Sequence, residues 1–210
     1  MAAAALRIYG RKNSINVQKV LWCCAELGVA FERIDRGGQF GGTATPEYRA
    51  MNPTGRIPTI DDNGFVLWES NAIVRYLSAR YGLGSLCPRD DKARASADRW
   101  MDWQCVHVWP SLQPAFLAIV RTPPEKRDQN AIDAALRRTE EQFTLLDAHL
   151  KNNGYVNGDA FSMGDIPIGA TTQRWLALDI QRPALAALGA WYQRLKARPA
   201  FAQHVDLPLS

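Results

Sequence analysis

In the stretch YGRKNSINVQKVLWCCAELG, Tyr9 to Gly28, a short basic loop runs into an apolar-periodic segment, and Ser14 and Asn16 stand at the junction. Both residue types are favoured as helix caps, so the pair either only caps the helix or is where the chemistry happens. In NPTGRIPTI, Asn52 to Ile60, a proline enters an apolar strand. It cannot donate to a sheet ladder and so belongs at the strand's start. The Ile57-Pro58 bond is then either an ordinary trans turn or a cis peptide that presents the N–H and C=O of Ile57 as a paired docking edge. In LWESNAIVRYL, Leu67 to Leu77, Glu69 and Ser70 stand where a strand feeds a helix. The Ser70 hydroxyl and the free N–H groups of the first turn form an anion site, and Glu69 takes a cation. Together they suit a zwitterionic α-amino acid head, with helix capping alone as the plainer alternative.

Other chemistries find no residues to carry them. The four cysteines show no C-x-x-C, and Cys23 and Cys24 are vicinal on the expected helix, where their side chains diverge. All four are expected to be reduced, buried thiols of a cytoplasmic protein. The three histidines are isolated, so no metal site is expected. G-x-S-x-G, the P-loop and G-x-G-x-x-G are missing from the sequence. The net charge of +4 is spread without a basic stripe, which fits small anionic ligands at least as well as nucleic acid, and no nucleic-acid partner is expected. No apolar run reaches the roughly 18 residues of a membrane span. The opening MAAAALRIYG lacks a basic n-region and turns strand-like at once, so it does not read as a signal peptide.

With 210 residues, 47% of them hydrophobic and 22% charged, the chain is long enough for one large domain or two small ones. The first eighty residues or so alternate strands with helices. LRIYG reads as a strand, then Val17, Val20, Leu21, Cys24 and Leu27 share a helical face that Gly28 ends. AFERID is a second strand. Residues 37–53 are irregular, with a short helix around Pro46 to Ala50, and IPTIDDNGFVLWES is a hairpin. Ser70 caps the next helix, with Ile73, Val74, Leu77 and Tyr81 on one face. This order is that of a thioredoxin-like mixed sheet. After the break at YGLGSLCPRDD the sequence reads as helices alone: Lys92 to about Val120, Glu125 to about Lys151, Ser162 to about Leu178 and Leu185 to about Ala197. The third of these opens on a capping box, Ser162 with Asp165, and a Phe161/Ile166 staple. The fold class expected is therefore α/β plus all-α, with residues 1–82 thioredoxin-like, 83–88 a linker and 89–210 all-helical.

These pieces resemble the glutathione transferase superfamily along the whole chain. NPTGRIP is similar to its N-P-x-G-[KQR]-[VI]-P signature with a cis final proline, ESNAIVRYL to its E/Q-S-x-A-I-x-x-Y-L segment, and FSMGDIPI to its capping box in the central C-terminal helix. The resemblance implies that Ile57, before Pro58, pairs its backbone with the cysteinyl part of glutathione. It implies that Glu69 and Ser70 hold the γ-glutamyl head, and that Arg56 and Gln39 meet the glycyl carboxylate. The family places a thiolate donor between the first strand and first helix. Ser14 is in the register of serine-type members, and Asn16 matches the second donor of a bacterial group that uses Thr and Asn. Tyr9 fits the tyrosine classes less well, and Cys23 and Cys24 lie too far into the helix to serve.

A thiol with a pKa near ~8.5 is only a few per cent ionised at neutral pH. Lowering that value by ~2 units requires about 2.7 kcal/mol of selective thiolate stabilisation. A helix N-terminus contributes ~0.3–1 kcal/mol, or ~2 when partly buried, which is borderline, so a directed hydroxyl or amide donor is expected to make up the difference. Ser14 and Asn16 are the catalytic candidates, and which of them makes the bond stays open. Trp109, Phe116 and Arg121 are candidates for lining the acceptor site, which is expected between the domains.

The resemblance thus implies a bacterial serine/theta-like glutathione transferase acting in detoxification. It would use glutathione as co-substrate and no metal, attack a small electrophile by substitution or addition, and form a homodimer in which Arg75 is a plausible contact. The alternatives are a glutathione-dependent disulfide reductase and a non-catalytic regulatory or interaction relative.

Overall fold

The computed structural model describes residues 6–209, and the opening Met1 to Ala5, read above as part of a non-leader start, lies outside the described residues. Four short strands form one mixed sheet: β1 (Leu6–Tyr9), β2 (Phe31–Ile34), β3 (Thr59–Asp62) and β4 (Phe65–Trp68), in the order β2-β1-β3-β4. β1 runs parallel to β2 and antiparallel to β3, with Ile8 opposite Ile60, and β3 and β4 are the hairpin expected from the Asp62-Asn63-Gly64 turn.

Helix α1 (Ile15–Glu26) crosses from β1 to β2, α2 (Pro46–Met51) follows β2, and α3 (Ser70–Tyr81) follows β4. Gly28, at φ 64°, takes the left-handed position that ends α1. Ser70 is the first helical residue of α3, and Glu69 holds the cap position at φ 70° without a side-chain cap bond. The expectation that Ser70 caps α3 is therefore off by one residue. Tyr81 also departs from its expected apolar face: it is 39% exposed, and its hydroxyl donates to Asp62 Oδ2 at 2.7 Å.

The helical half comprises α4 (Asp91–Trp103), α5 (Trp109–Arg121), α6 (Gln129–Leu150), α7 (Asp165–Leu176), α8 (Ala186–Lys196) and α9 (Pro199–His204). The single helix expected from Lys92 to Val120 is interrupted by a π turn over Gln104–Val108, in which the Trp109 N–H reaches back to the Gln104 carbonyl. Pro110 and Pro114 follow directly, each withdrawing a donor from the ladder, a circumstance in which helices widen or bend. Helix α9 was not foreseen, because six residues are too few for a periodicity to register.

Helix α7 runs through the middle, with every residue from Asp165 to Trp175 buried. Ser162 is not the N-cap expected: the helix starts at Asp165 with Gly164 in the cap position, and only the carboxylate's half of the box forms. Asp165 accepts from the Ser162 N–H at 2.9 Å and the Ser162 hydroxyl at 3.2 Å, and also from the Val156 N–H and Trp191 Nε1. Phe161 packs on Trp22 and Tyr155. Trp22 of α1, fully buried, also meets Phe201 of α9 edge-on at 4.9 Å, and its neighbour Glu26 takes a bidentate pair from Arg198. A Cβ on Gly169 of α7 would stand 2.7 Å from Leu195 and 3.0 Å from the Trp22 ring, so glycine there sets how closely the sheet half seats on the helical half. No helix among the described residues is long and apolar enough to cross a membrane.

Candidate functional site

The turn between β1 and α1 is held from two sides. Gly10 and Arg11 donate their N–H groups to the Ile34 and Arg36 carbonyls at 2.9 and 3.1 Å, and Ser14 N–H bonds back to the Arg11 carbonyl. A Cβ on Gly10 would lie 2.5 Å from Val17 and 3.4 Å from Ile57, so only glycine lets the end of β1 touch both α1 and the Ile57 loop. Ser14 then takes the cap position with extended backbone, yet its hydroxyl makes no cap bond. The plain capping reading fails for Ser14, whose side chain instead lines a cavity.

The Ile57-Pro58 peptide is cis. Asn52, 1% exposed, braces the loop that carries it. Its amide donates to the Arg56 carbonyl at 2.9 Å and Thr59 Oγ1 at 3.0 Å, and its Oδ1 accepts from the Thr54 N–H and hydroxyl. From α2, the Tyr48 hydroxyl donates to the same Arg56 carbonyl at 2.7 Å and shares a hydrogen bond with the Thr59 hydroxyl at 2.9 Å.

Two adjoining cavities result. The smaller, about 100 Å³, is lined by Asn52, Thr54, Pro58, Glu69 and Ser70, together with Asn16, Arg56 and Ile57. The last three also line the larger cavity, about 350 Å³, where Ser14 joins Arg11, Gly37, Trp109, Phe116, Arg121 and Arg174. Of the site residues expected from the sequence, Ser14, Asn16, Arg56, Ile57, Pro58, Glu69, Ser70, Trp109, Phe116 and Arg121 all line one cavity or both. Gln39 does not: it sits exposed on a short 3-10 turn (Gly38–Phe40), and the neighbouring Gly37 and Gly38 line the wall in its place. Tyr9 is buried against Tyr48.

Asn16 and Ser70 are tied together, the Ser70 hydroxyl donating to Asn16 Oδ1 at 3.3 Å. Behind them lies Lys19, which the sequence reading passed over. It is 4% exposed, and its Nζ lies 3.5 Å from Ser70 Oγ, 3.3 Å from Asn71 Oδ1 and 3.3 Å from Gln104 Oε1. The π turn aims Gln104 inward, where it also donates to Thr171 Oγ1 at 2.9 Å. Burial pushes the Lys19 ammonium down to about 8, with Cys105 and then Glu69 opposing. The signal available in the sequence was a lysine inside the largely apolar run VQKVLWCC.

Arg174 is also buried, on α7, and donates to Gln18 Oε1, Gln173 Oε1 and the Asn13 carbonyl. Burial, and then Arg121, push its guanidinium down to about 10, with Tyr192 opposing. Arg11 is lowered by the same two causes, burial first.

The cysteines take no part in the cavities. Cys23 and Cys24 are fully buried, and burial pushes the Cys23 thiol up to about 12 and Cys24 higher still. Cys87 is buried, but Cys105 is exposed on the π turn, contrary to the expectation that all four lie inside. Arg75 is engaged within its own chain by Asp98 and Asp102. Among the described residues, no group of three or more His, Cys, Asp and Glu is placed to hold a metal.

Two family models match the chain: the N-terminal domain of glutathione S-transferase over residues 13–80 and its C-terminal domain over 107–199. Glutathione S-transferase GstB of Escherichia coli K12 is 40% identical over 207 residues, covering 98% of this chain and 100% of that protein. Glutathione S-transferase 3 of Zea mays is 30% identical, covering 96% and 94%. Among solved structures, the theta class glutathione S-transferase of Xanthomonas axonopodis pv. citri with glutathione bound superposes with a TM-score of 0.95 at 47% identity, covering 99% of this chain and all of that one.

Proposed function

The chain belongs to the glutathione S-transferase family, and we propose that it binds glutathione across the two adjoining cavities and directs its thiolate at a small electrophile in the larger one. One observation carries the assignment of roles: the Ser14 hydroxyl stands at the start of α1, makes no cap bond, and lines the larger cavity beside Ile57.

The γ-glutamyl carboxylate goes to Ser70 and the first N–H groups of α3, with the Lys19 ammonium behind Ser70 adding positive potential. The glutamyl ammonium goes to Glu69. In the free protein the Ser70 hydroxyl hydrogen rests on Asn16; an incoming carboxylate takes it over, while Lys19 continues to donate to Ser70 Oγ. Ile57 offers its backbone to the cysteinyl unit, and Arg56 faces the glycyl carboxylate. The thiol then lies near Ser14, whose O–H donates to the sulfur once the proton has left. A hydrogen bond to an ionised group is worth about 1.5–3 kcal/mol, enough with the helix terminus to bring the thiol to half-ionisation near neutral pH. In this reading Ser14 is the donor, and Asn16 positions Ser70.

Homodimerisation and a cytoplasmic setting belong to the same reading, supported by the family alone. The test is calorimetric titration with glutathione, followed by chloride release from chlorodinitrobenzene in its presence. Micromolar to millimolar binding and glutathione-dependent chloride release are expected; a protein that binds no glutathione overturns the reading.

A further inference from the structure

The wall of the larger cavity is unusual for one that receives an apolar electrophile. Arg11, Arg56, Arg121 and Arg174 all line it, and none of its lining residues is acidic. Arg56 reaches the smaller cavity as well, whereas Arg11, Arg121 and Arg174 line only the larger one, which Trp109 and Phe116 also line. Arg174 is more than nine-tenths buried, and it donates to two side-chain amide oxygens and one backbone carbonyl. Neutral acceptors fix the guanidinium's orientation and leave its charge in place. Arg121 in turn bears on both Arg11 and Arg174 as a like charge. An anion that enters the cavity is attracted by each of these like charges. The aromatic pair formed by Trp109 and Phe116, with ring centroids 6.0 Å apart, supplies an apolar surface in the same space.

We propose that the electrophile carries one negative charge: a small apolar body seated on Trp109 and Phe116, with a carboxylate or sulfonate held by Arg174 and Arg121 beyond the thiolate. This rests on the glutathione transferase reading of the cleft. With a carboxylated aryl halide, the thiolate sulfur forms a bond to the ring carbon that bears the halogen. The carbon–chlorine bond breaks and chloride leaves with the bonding pair, the thiol proton having gone to solvent.

The experiment compares chlorodinitrobenzoate with its neutral counterpart chlorodinitrobenzene, each as kcat/KM divided by its uncatalysed rate with glutathione. The corrected ratio is expected to favour the benzoate in the wild-type protein and to fall about tenfold in Arg121→Gln, the loss of one charge-assisted bond. Arg174→Gln is expected to act in the same direction. Arg121 is exposed, so its variant keeps the comparison readable if the buried substitution fails to fold. A corrected ratio that does not favour the benzoate overturns the proposal. So does a ratio that neither variant changes while KM for glutathione rises, which would assign these arginines to the glycyl carboxylate. Glutathione binding without turnover of either acceptor overturns the proposal and leaves the glutathione site standing. Loss of glutathione binding itself, measured by calorimetry on the wild-type protein, removes both.

Discussion

The ammonium of Lys19 lies 3.5 Å from the hydroxyl of Ser70, with both residues buried and on different helices of the sheet half. A lysine so placed, donating otherwise only to Asn71 and Gln104 amide oxygens, puts a charge behind the anion site that the start of α3 makes. It also links that site to the helical half through Gln104.

Lys19→Met is expected to weaken S-methylglutathione binding by about tenfold or more, since a charge-assisted interaction of about 1.5–3 kcal/mol is lost. The pH dependence follows from the sign of the Lys19 shift. Its folded value of about 8 lies below the 10.5 of the unfolded chain. Between these values the unfolded state binds more protons, so this residue makes stability rise with pH across the window. Ligand affinity runs the other way: as pH climbs through about 8, the charge behind Ser70 is lost and binding weakens. Calorimetric titrations on either side of that pH check this, and the Lys19→Met protein should lack the corresponding change.

Asn16→Ala separates positioning from thiolate donation. With its tie to Ser70 removed, binding of S-methylglutathione should weaken several-fold, by roughly the 0.5–1.5 kcal/mol of a net hydrogen bond. The pKa of bound glutathione should move little. A large thiol shift with unchanged affinity would transfer the donor role to Asn16.

Asn52→Ala removes the brace of the Ile57 loop. Two donors and one doubly used acceptor disappear from a buried position, which is expected to cost about 2–4 kcal/mol in chemical denaturation. Glutathione affinity should fall with it, because Arg56 and Ile57 are carried by the same loop. Unchanged affinity in a folded variant would separate the brace from the site.

Asp165→Ala leaves the N–H groups of Val156 and Ser162 and the Trp191 indole without their acceptor inside the helical half. The expected loss is about 3–5 kcal/mol, well beyond the ~1 kcal/mol of a simple surface cap. Urea denaturation measures it, and a loss near 1 kcal/mol would show that the network relaxes around the gap.

The capping box was legible because Ser162 and Asp165 are local, three residues apart; the further partners Val156 and Trp191 arrive through tertiary packing and leave no spacing to read. The same division holds across the molecule. The order of strands and helices along the chain, the hairpin and the Glu69-Ser70 junction could be read from alternation and turn residues, and the loop signature pointed to Ile57 and Pro58. Lys19 and Arg174 could not be placed: a charge within a largely apolar helix marks the residue, but does not say which partners its long side chain reaches when it turns inward. Gln39 was misplaced because the glycine-rich stretch around it fixes no side-chain direction, and four glycines there take positive φ. The π turn was hidden inside a continuous helical periodicity.

The most direct measurement is the ultraviolet titration of bound glutathione in the wild-type protein and in Ser14→Ala. The thiolate's absorbance gives the pKa of the bound thiol without any acceptor present. In the wild-type protein it should lie well below the free value, and Ser14→Ala should raise it by about one to two units, the equivalent of the hydrogen bond removed. An unchanged value in a Ser14→Ala protein that still binds glutathione would contradict the central claim.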